Sequence, residues 1–310
     1  MHIEQHARIA VVGAGLMGCG IAQVFLAAGH PVSLYDPYVN VLSQAPATIR
    51  DNLRSVGRDG ACLELLTLCS VLRDAVDKAA IVFEAAPERL ELKRGIFAEL
   101  DAVAGKHVIL ASNTSVIPIS GIAANLDEAR RRFVIGTHWW NPPYLVPLVE
   151  VVRTELLAEP VFAAVMDLLA RVGKVAVEVK KDVPGFVGNR LQHALWREAF
   201  ALVDAGICDA ATVDLVVKNS FGMRLPVLGP LENAEMVGLD LTLDIHRVVL
   251  QHLDASATPS PLLEELVAQG RLGMKSGQGM RAWTEYEPAA LKERVAEHLL
   301  AMTRPAQAST

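Results

Sequence analysis

The chain reads as a doubly wound, mostly parallel α/β sheet followed by an all-α domain. Three observations predict this. Short apolar runs alternate with helix-like stretches as far as about residue 180. A glycine-rich turn directly follows the first of those runs. Beyond Lys180-Lys181-Asp182-Val183-Pro184-Gly185 the pattern becomes almost wholly helical. At 310 residues the chain exceeds one ordinary core, so two domains are expected, 1–183 and 184–310.

Arg8–Val12 is a short apolar strand that runs into Gly13-Ala14-Gly15-Leu16-Met17-Gly18. A helix follows to Ala28, with Gly29 suited to the position just beyond its end. Pro31–Tyr35 is the next strand and stops at Asp36. Further strands are Ala80–Ala86, His107–Ala111, Phe133–Thr137, Leu148–Val152 and Lys174–Val179. Helical character falls at 41–56, 89–104, 117–125 and 158–172. In the second part helices are predicted over Phe186–Val203, 210–219, 232–253, 261–269 and 287–302, with a frayed end after Pro305.

A net charge of −6 opposes a nucleic-acid partner, because a phosphate backbone calls for a basic face. Arg130-Arg131-Arg132 reads as a solvated turn before a strand. No run approaches 18 uncharged apolar residues, so no membrane span and no membrane partner is expected. The four cysteines lack metal or redox spacing, and no metal is expected. Cys62 and Cys69, seven apart on a predicted helix, read as small buried hydrophobes, and Met223 and Met236 as core filler. The start lacks the layout of a signal peptide, and a reducing cytoplasm is the expected compartment.

A strand, then G-x-G-x-x-G opening a helix, then an acidic residue closing the second strand is the dinucleotide fingerprint in its proper context. Gly13 permits the tight turn, Gly15 lets the backbone approach a pyrophosphate, and Gly18 lets helix and sheet pack closely. Leu16 and Met17 lie within the same turn. Asp36 is suited to ribose hydroxyls and repels a 2′-phosphate, so NAD is expected rather than NADP. Glu84-Ala85-Ala86-Pro87-Glu88 closes another strand at the ligand-facing end of such a sheet, with Lys93 beyond it. Taken alone, Glu88 and Lys93 read as a surface ion pair.

The segment His138-Trp139-Trp140-Asn141-Pro142 ends one apolar run, and Glu150 lies inside the next. A carboxylate that reaches a histidine's far nitrogen fixes its tautomer and steadies its charged form, which makes a general base. Beside a nicotinamide, such a base removes a hydroxyl proton as hydride departs.

Together these segments resemble the 3-hydroxyacyl-CoA dehydrogenase family. The resemblance also rests on Ser112-Asn113-Thr114-Ser115, Leu148-Val149-Glu150-Val151, Pro184-Gly185-Phe186-Val187-Gly188-Asn189-Arg190 and Gly273-Met274-Lys275-Ser276-Gly277-Gln278-Gly279. It runs from about residue 8 to 284 in the family's order. It implies a Rossmann-type first domain and a helical domain like that of 6-phosphogluconate dehydrogenase. It implies that His138 is the catalytic base, Glu150 its orienting partner, and Ser115 and Asn189 the groups that hold the reacting oxygen. It places Glu88, Lys93, Asn113, Ser115, Asn141 and Lys275 around the dinucleotide, and implies a homodimer joined through the helical domain.

Two departures bear on the substrate. Trp139-Trp140 replaces the Phe-Phe common in the acyl-CoA enzymes, and the run to Glu150 looks closer to the lambda-crystallin-like gulonate 3-dehydrogenases and carnitine 3-dehydrogenases. The stretch between Asp36 and Glu84 is shorter than the lysine-rich helical hairpin of the acyl-CoA enzymes, and over 41–72 its only basic residues are Arg50, Arg54 and Arg58. A small free L-3-hydroxy acid is therefore the expected substrate. A CoA thioester of 3-hydroxybutyryl type is the alternative, followed by imine reduction and by a non-catalytic, crystallin-like NAD-binding role.

Overall fold

Eight short strands form one sheet in the computed structural model, which describes residues 1–303: β1 (Ile9–Val12), β2 (Val32–Tyr35), β3 (Leu66–Cys69), β4 (Ile81–Glu84), β5 (Ile109–Ser112), β6 (Val134–Trp139), β7 (Leu148–Val152) and β8 (Val175–Val179). Their order is β3-β2-β1-β4-β5-β6-β7-β8. All neighbours are parallel except β6 and β7, which run antiparallel. The central strands are continuous apolar runs because helices cover both faces. The order reverses between β1 and β4, which opens a crevice at the carboxyl ends of those strands.

One face packs Ile135, Trp139, Val149 and Val151 against the helices Leu16–Ala27 and Glu159–Arg171. The other packs Val134 and Val152 with Phe97, Ile119, Val179 and Phe186. Alternation along β6 and β7 thus sends odd-numbered residues to the first face and even-numbered ones to the second. Trp139 closes the first core, with its ring 6.0 Å from Phe25 and 5.9 Å from Phe83. Phe25 and Phe83 themselves stack at 4.9 Å.

Several expectations are corrected. Cys62 and Cys69 do not share a helix: Ala61–Leu65 is a 3-10 turn and Leu66–Cys69 is the edge strand β3. Pairing with β2 overrides the local pattern there. The helix over 117–125 shrinks to Ile119–Ile122. The helix over 232–253 is two, Pro230–Val237 and Leu239–Val249, parted by Gly238 at φ 107°. Arg130 is buried, not solvated; its guanidinium donates to Val108 O at 2.8 Å and Lys106 O at 3.1 Å and pairs with Asp101 at 3.3 Å. Met223 and Met236 are exposed within the helical unit and fill no core there. The frayed end expected after Pro305 lies outside the described residues.

The chain divides into two compact units. The first comprises Met1–Asn189 and residues 295–303, and the second comprises Arg190–Arg294. No helix among the described residues is long and apolar enough to cross a membrane.

Gly136 sits on β6 two residues before His138, and a Cβ there would lie 2.8 Å from both Ile119 and Val152 side chains. Gly136→Ala should therefore cost about 1–3 kcal/mol by overpacking. Urea unfolding of the variant checks this; an unchanged midpoint would show that the strand shifts freely.

Candidate active site

The turn after β1 is shaped by contacts that leave no room for side chains at two of its three glycines. Gly13 lies at φ 103°, and a Cβ on it would come 2.8 Å from Ala85 O. A Cβ on Gly18 would overlap the Gly13 carbonyl oxygen. At Gly15, by contrast, nothing lies within 4 Å of the Cβ position. Gly15 caps the helix Leu16–Ala27, so open space adjoins a helix N-terminus at the sheet's reversal point. A pyrophosphate needs that combination. Leu16 is exposed and Met17 half-buried at the same place. Asp36, at the end of β2, accepts from Ala14 N and Tyr38 N, each at 2.9 Å. Each oxygen keeps a further lone pair for a ribose hydroxyl. The residues present fit a dinucleotide.

Two acids tie the neighbouring strand ends together. Glu84, wholly buried, accepts from Lys93 Nζ at 2.8 Å, Ala86 N at 2.7 Å and Ser112 Oγ at 2.6 Å. Lys93 is buried as well, and donates also to Ala86 O at 3.1 Å. Its main partner is therefore Glu84, with Glu88 farther at 3.6 Å, and the surface-pair reading is corrected. Glu88 gathers the loop after β5: Oε1 accepts from Thr114 Oγ1 at 2.6 Å and from Ser115 N and Val116 N at 2.9 Å. Partial burial opposes its charge, but these donors and Lys93 outweigh that and hold its pKa below the usual carboxylate value. Asn113 Oδ1 accepts from Trp139 N at 2.9 Å, joining that loop to β6.

His138 and Glu150 are directly opposed in the β6–β7 register. Opposed residues project on one face of an antiparallel pair, so their side chains meet. Nδ1 of His138 lies 2.7 Å from Glu150 Oε2, with both residues buried. The other carboxylate oxygen accepts from Val187 N at 2.9 Å and Gly188 N at 3.0 Å. Phe186 sits in the left-handed region at φ 48°, which turns the chain so that these two N–H groups face inward. Burial resists the charge on Glu150, yet the bonds from His138, Gly188 and Val187 prevail and hold its pKa below 4.5. The carboxylate thus fixes the proton on Nδ1 and leaves Nε2 as the basic nitrogen, with no protein partner among the described residues. The Trp140 and Phe186 rings flank the imidazole at 5.3 and 5.7 Å between centroids. Gly188 makes room for Trp140, since a Cβ there would overlap its ring.

Asn189 is buried and donates from Nδ2 to Ser115 O at 3.0 Å, which brings the last two expected residues beside the others. Asn141 lies exposed on the loop after β6. Lys275 belongs to the second unit, exposed in the turn Gly273–Gly279. Sequence reasoning quoted Glu84 and Ser112 within motifs but gave them no role, and gave none to the Val187 and Gly188 amides. An acid ending an otherwise apolar strand was the available signal for Glu84; the amides leave no side-chain signature.

Residues 8–183 match the NAD binding domain of 3-hydroxyacyl-CoA dehydrogenase, and residues 185–283 match its C-terminal domain. The chain belongs to the 3-hydroxyacyl-CoA dehydrogenase family. Membership makes it an NAD-dependent oxidoreductase with a Rossmann-like sheet and a helical C-terminal domain. Its relatives in the family differ in substrate. It is 33% identical over 302 residues to 5-formyl-3-hydroxy-2-methylpyridine 4-carboxylate 5-dehydrogenase of Mesorhizobium japonicum, covering 96% of this chain and 97% of that one. A solved structure of such an enzyme, described as an NAD+ dependent dismutase, superposes with a TM-score of 0.88 at 32% identity, covering 96% and 97%. The chain is 38% identical over 297 residues to a probable 3-hydroxybutyryl-CoA dehydrogenase of Bacillus subtilis, covering 92% and 99%. It is 37% identical over 239 residues to the L-carnitine dehydrogenase of Streptomyces coelicolor, covering 76% and 74%.

Two outcomes follow for this family member. Gly15→Ala should fold with unchanged thermal stability yet bind NADH on the order of tenfold more weakly or worse, whereas Gly18→Ala should lose stability outright. Fluorescence titration and thermal melts separate the two; equal NADH affinity in Gly15→Ala would remove Gly15 from the cofactor site. Second, the Glu150 carboxyl titrates lower folded than unfolded. It therefore contributes stability fully present above its ordinary 4.5 and lost as pH falls through the lower folded-state value. Glu150→Gln should flatten the stability curve below pH 4.5 in urea unfolding; an identical acid limb would refute the linkage.

Proposed function

We propose that this enzyme transfers hydride between NAD and a small free hydroxy acid of the L-3-hydroxy class, giving the oxo acid, with His138 as general base. The His138–Glu150 contact carries the mechanism. Nε2 of His138 takes the hydroxyl proton, and Glu150, charged and held by two amides, stabilises the imidazolium that forms. The Ser115 hydroxyl and the Asn189 amide stand by the reacting oxygen as charge builds there. The nicotinamide, when bound, supplies the hydride acceptor. Around it we assign Gly13, Gly15, Leu16, Met17, Gly18, Asp36, Glu88, Asn113, Ser115 and Asn141, with Lys93 acting from beneath through Glu84 and Glu88.

The free-acid preference is supported by the end-to-end likeness to an enzyme named for a pyridine carboxylate. It is supported also by the region after Asp36, where one helix, Val39–Ser55, is followed by a 3-10 turn and a strand, with few basic residues to meet CoA phosphates. The 38% identity to a probable 3-hydroxybutyryl-CoA dehydrogenase favours the thioester reading instead. Side-by-side kcat/KM for free 3-hydroxy acids and for 3-hydroxybutyryl-CoA decides; a preference for the thioester overturns the free acid. His138→Ala should lower kcat by roughly 10²–10⁴-fold, and near-normal turnover would discard the base.

We further propose a homodimer through the helical unit. Among the described residues of Arg190–Arg294, Leu266 is the only hydrophobic side chain that is buried, while Leu239, Leu241, Leu243, Ile245 and Val248 are each at least half exposed. A helical unit without a core of its own needs another surface to cover it. Light scattering should give twice the 33.4 kDa chain mass; a monomer at micromolar concentration would contradict this. The four free cysteines suit a reducing compartment, and we assign the enzyme to the cytoplasm.

A further inference from the structure

Between Trp139 and Leu148 the chain turns through a loop containing Pro142, Pro143 and Pro147. Three prolines remove three backbone donors, so the loop's carbonyls must find donors elsewhere. Leu145 N and Val146 N both serve Pro142 O, and Val175 N serves Pro147 O at 2.9 Å. Pro143 O and Val146 O are served by a single group, the ammonium of Lys174, which donates to both and lies 2.9 Å from Val146 O. The same Nζ stands 5.5 Å from the centre of the Trp139 ring.

Lys174 is well placed to transmit this hold. It directly precedes β8, whose residues pair with β7 so that Val177 opposes Glu150. The loop it grips begins just past His138 and ends just before Leu148. One ammonium therefore ties together two carbonyls of the loop that joins β6 to β7, the strands that set His138 against Glu150. It makes no ion pair among the described residues, and an ammonium half removed from water without a counter-ion is costly unless its donors are used.

We propose that Lys174 is a positioning residue for the reaction: by binding the Pro143 and Val146 carbonyls it holds the β6–β7 hairpin in the register that joins His138 to Glu150. This rests on the reading of His138 and Glu150 as the catalytic pair. Burial pushes the Lys174 pKa down to about 8, so the ammonium is mostly charged at neutral pH and loses its charge as pH rises through that value. The charged and titratable groups facing it are Arg58, Tyr144 and Arg171, which with Gln23 line an open cavity of about 1000 Å³. Among the described residues no carboxylate lines that cavity to hold the ammonium charged at higher pH.

The test uses the full-length chain labelled with 15N-histidine, together with steady-state kinetics. In the wild type, the downfield proton shared by His138 and Glu150 should be visible at neutral pH and should fade with a midpoint near pH 8. Lys174→Met should lose or broaden it at all pH values and lower kcat roughly 10- to 100-fold, with KM for NAD little changed. Lys174→Arg should restore the signal and keep it above pH 8, because arginine does not titrate there. In a Glu150→Gln background, Lys174→Met should cost much less, as expected of residues acting through one contact. An unchanged signal and kcat in Lys174→Met would overturn the proposal while leaving the catalytic pair intact. A signal that survives Glu150→Gln would instead overturn the pair itself. Should Lys174→Met fail to fold, the wild-type and Lys174→Arg titrations decide, and identical profiles count against the proposal.

Discussion

The antiparallel pairing of β6 with β7 is the constraint on which the site depends. Every other neighbour in the sheet is parallel, and a parallel pair would have carried His138 and Glu150 in on separate crossovers. Reversing direction once turns a separation of twelve residues in the chain into direct opposition across the sheet. Because side chains alternate faces, a slip of one residue would send the imidazole into the aromatic core and bring Trp139 to the site. The buried partners on both faces oppose that slip. The contact between imidazole and carboxylate is a by-product of main-chain register.

Around that pair the polar groups are bound before any ligand arrives. Glu84 and Lys93 are both removed from water, which is tolerable because Ser112, Ala86 and Glu88 complete their shells. Glu88 spends one oxygen on three donors of a single loop, so Ser115 is held there by its backbone amide rather than by its hydroxyl. Phe186 accepts a left-handed backbone, a conformation that costs about 1–3 kcal/mol for a residue with a side chain. The return is a pair of amides aimed at Glu150.

Much of this was legible in the residues themselves. The first strand, the glycine turn, Asp36 and the apolar runs that become β4 to β8 carry strong local patterns, and they lie where those patterns put them. The four residues expected to react cluster at one place, Glu150 against His138 and Asn189 against Ser115. What was not legible depends on distant partners. β3 is half exposed and becomes a strand only because β2 offers an edge, and Arg130 looks like part of a charged turn until three carbonyls and Asp101 enclose it. The helix break at Gly238 requires a positive φ that a lone glycine inside an apolar stretch does not announce. The methionines expected in a core lie on the surface of a unit that has almost none.

Two adjacent tryptophans illustrate how differently neighbouring positions are bound to their surroundings. Trp139 is wedged among Phe25 and Phe83 inside the first core, whereas Trp140 stands against Gly188 at the rim of the imidazole. A change of ring at 139 must be matched by its aromatic neighbours in the core, whereas a change at 140 alters the wall beside the imidazole. One step along the chain thus separates a ring that answers to the sheet's packing from a ring that answers to the site.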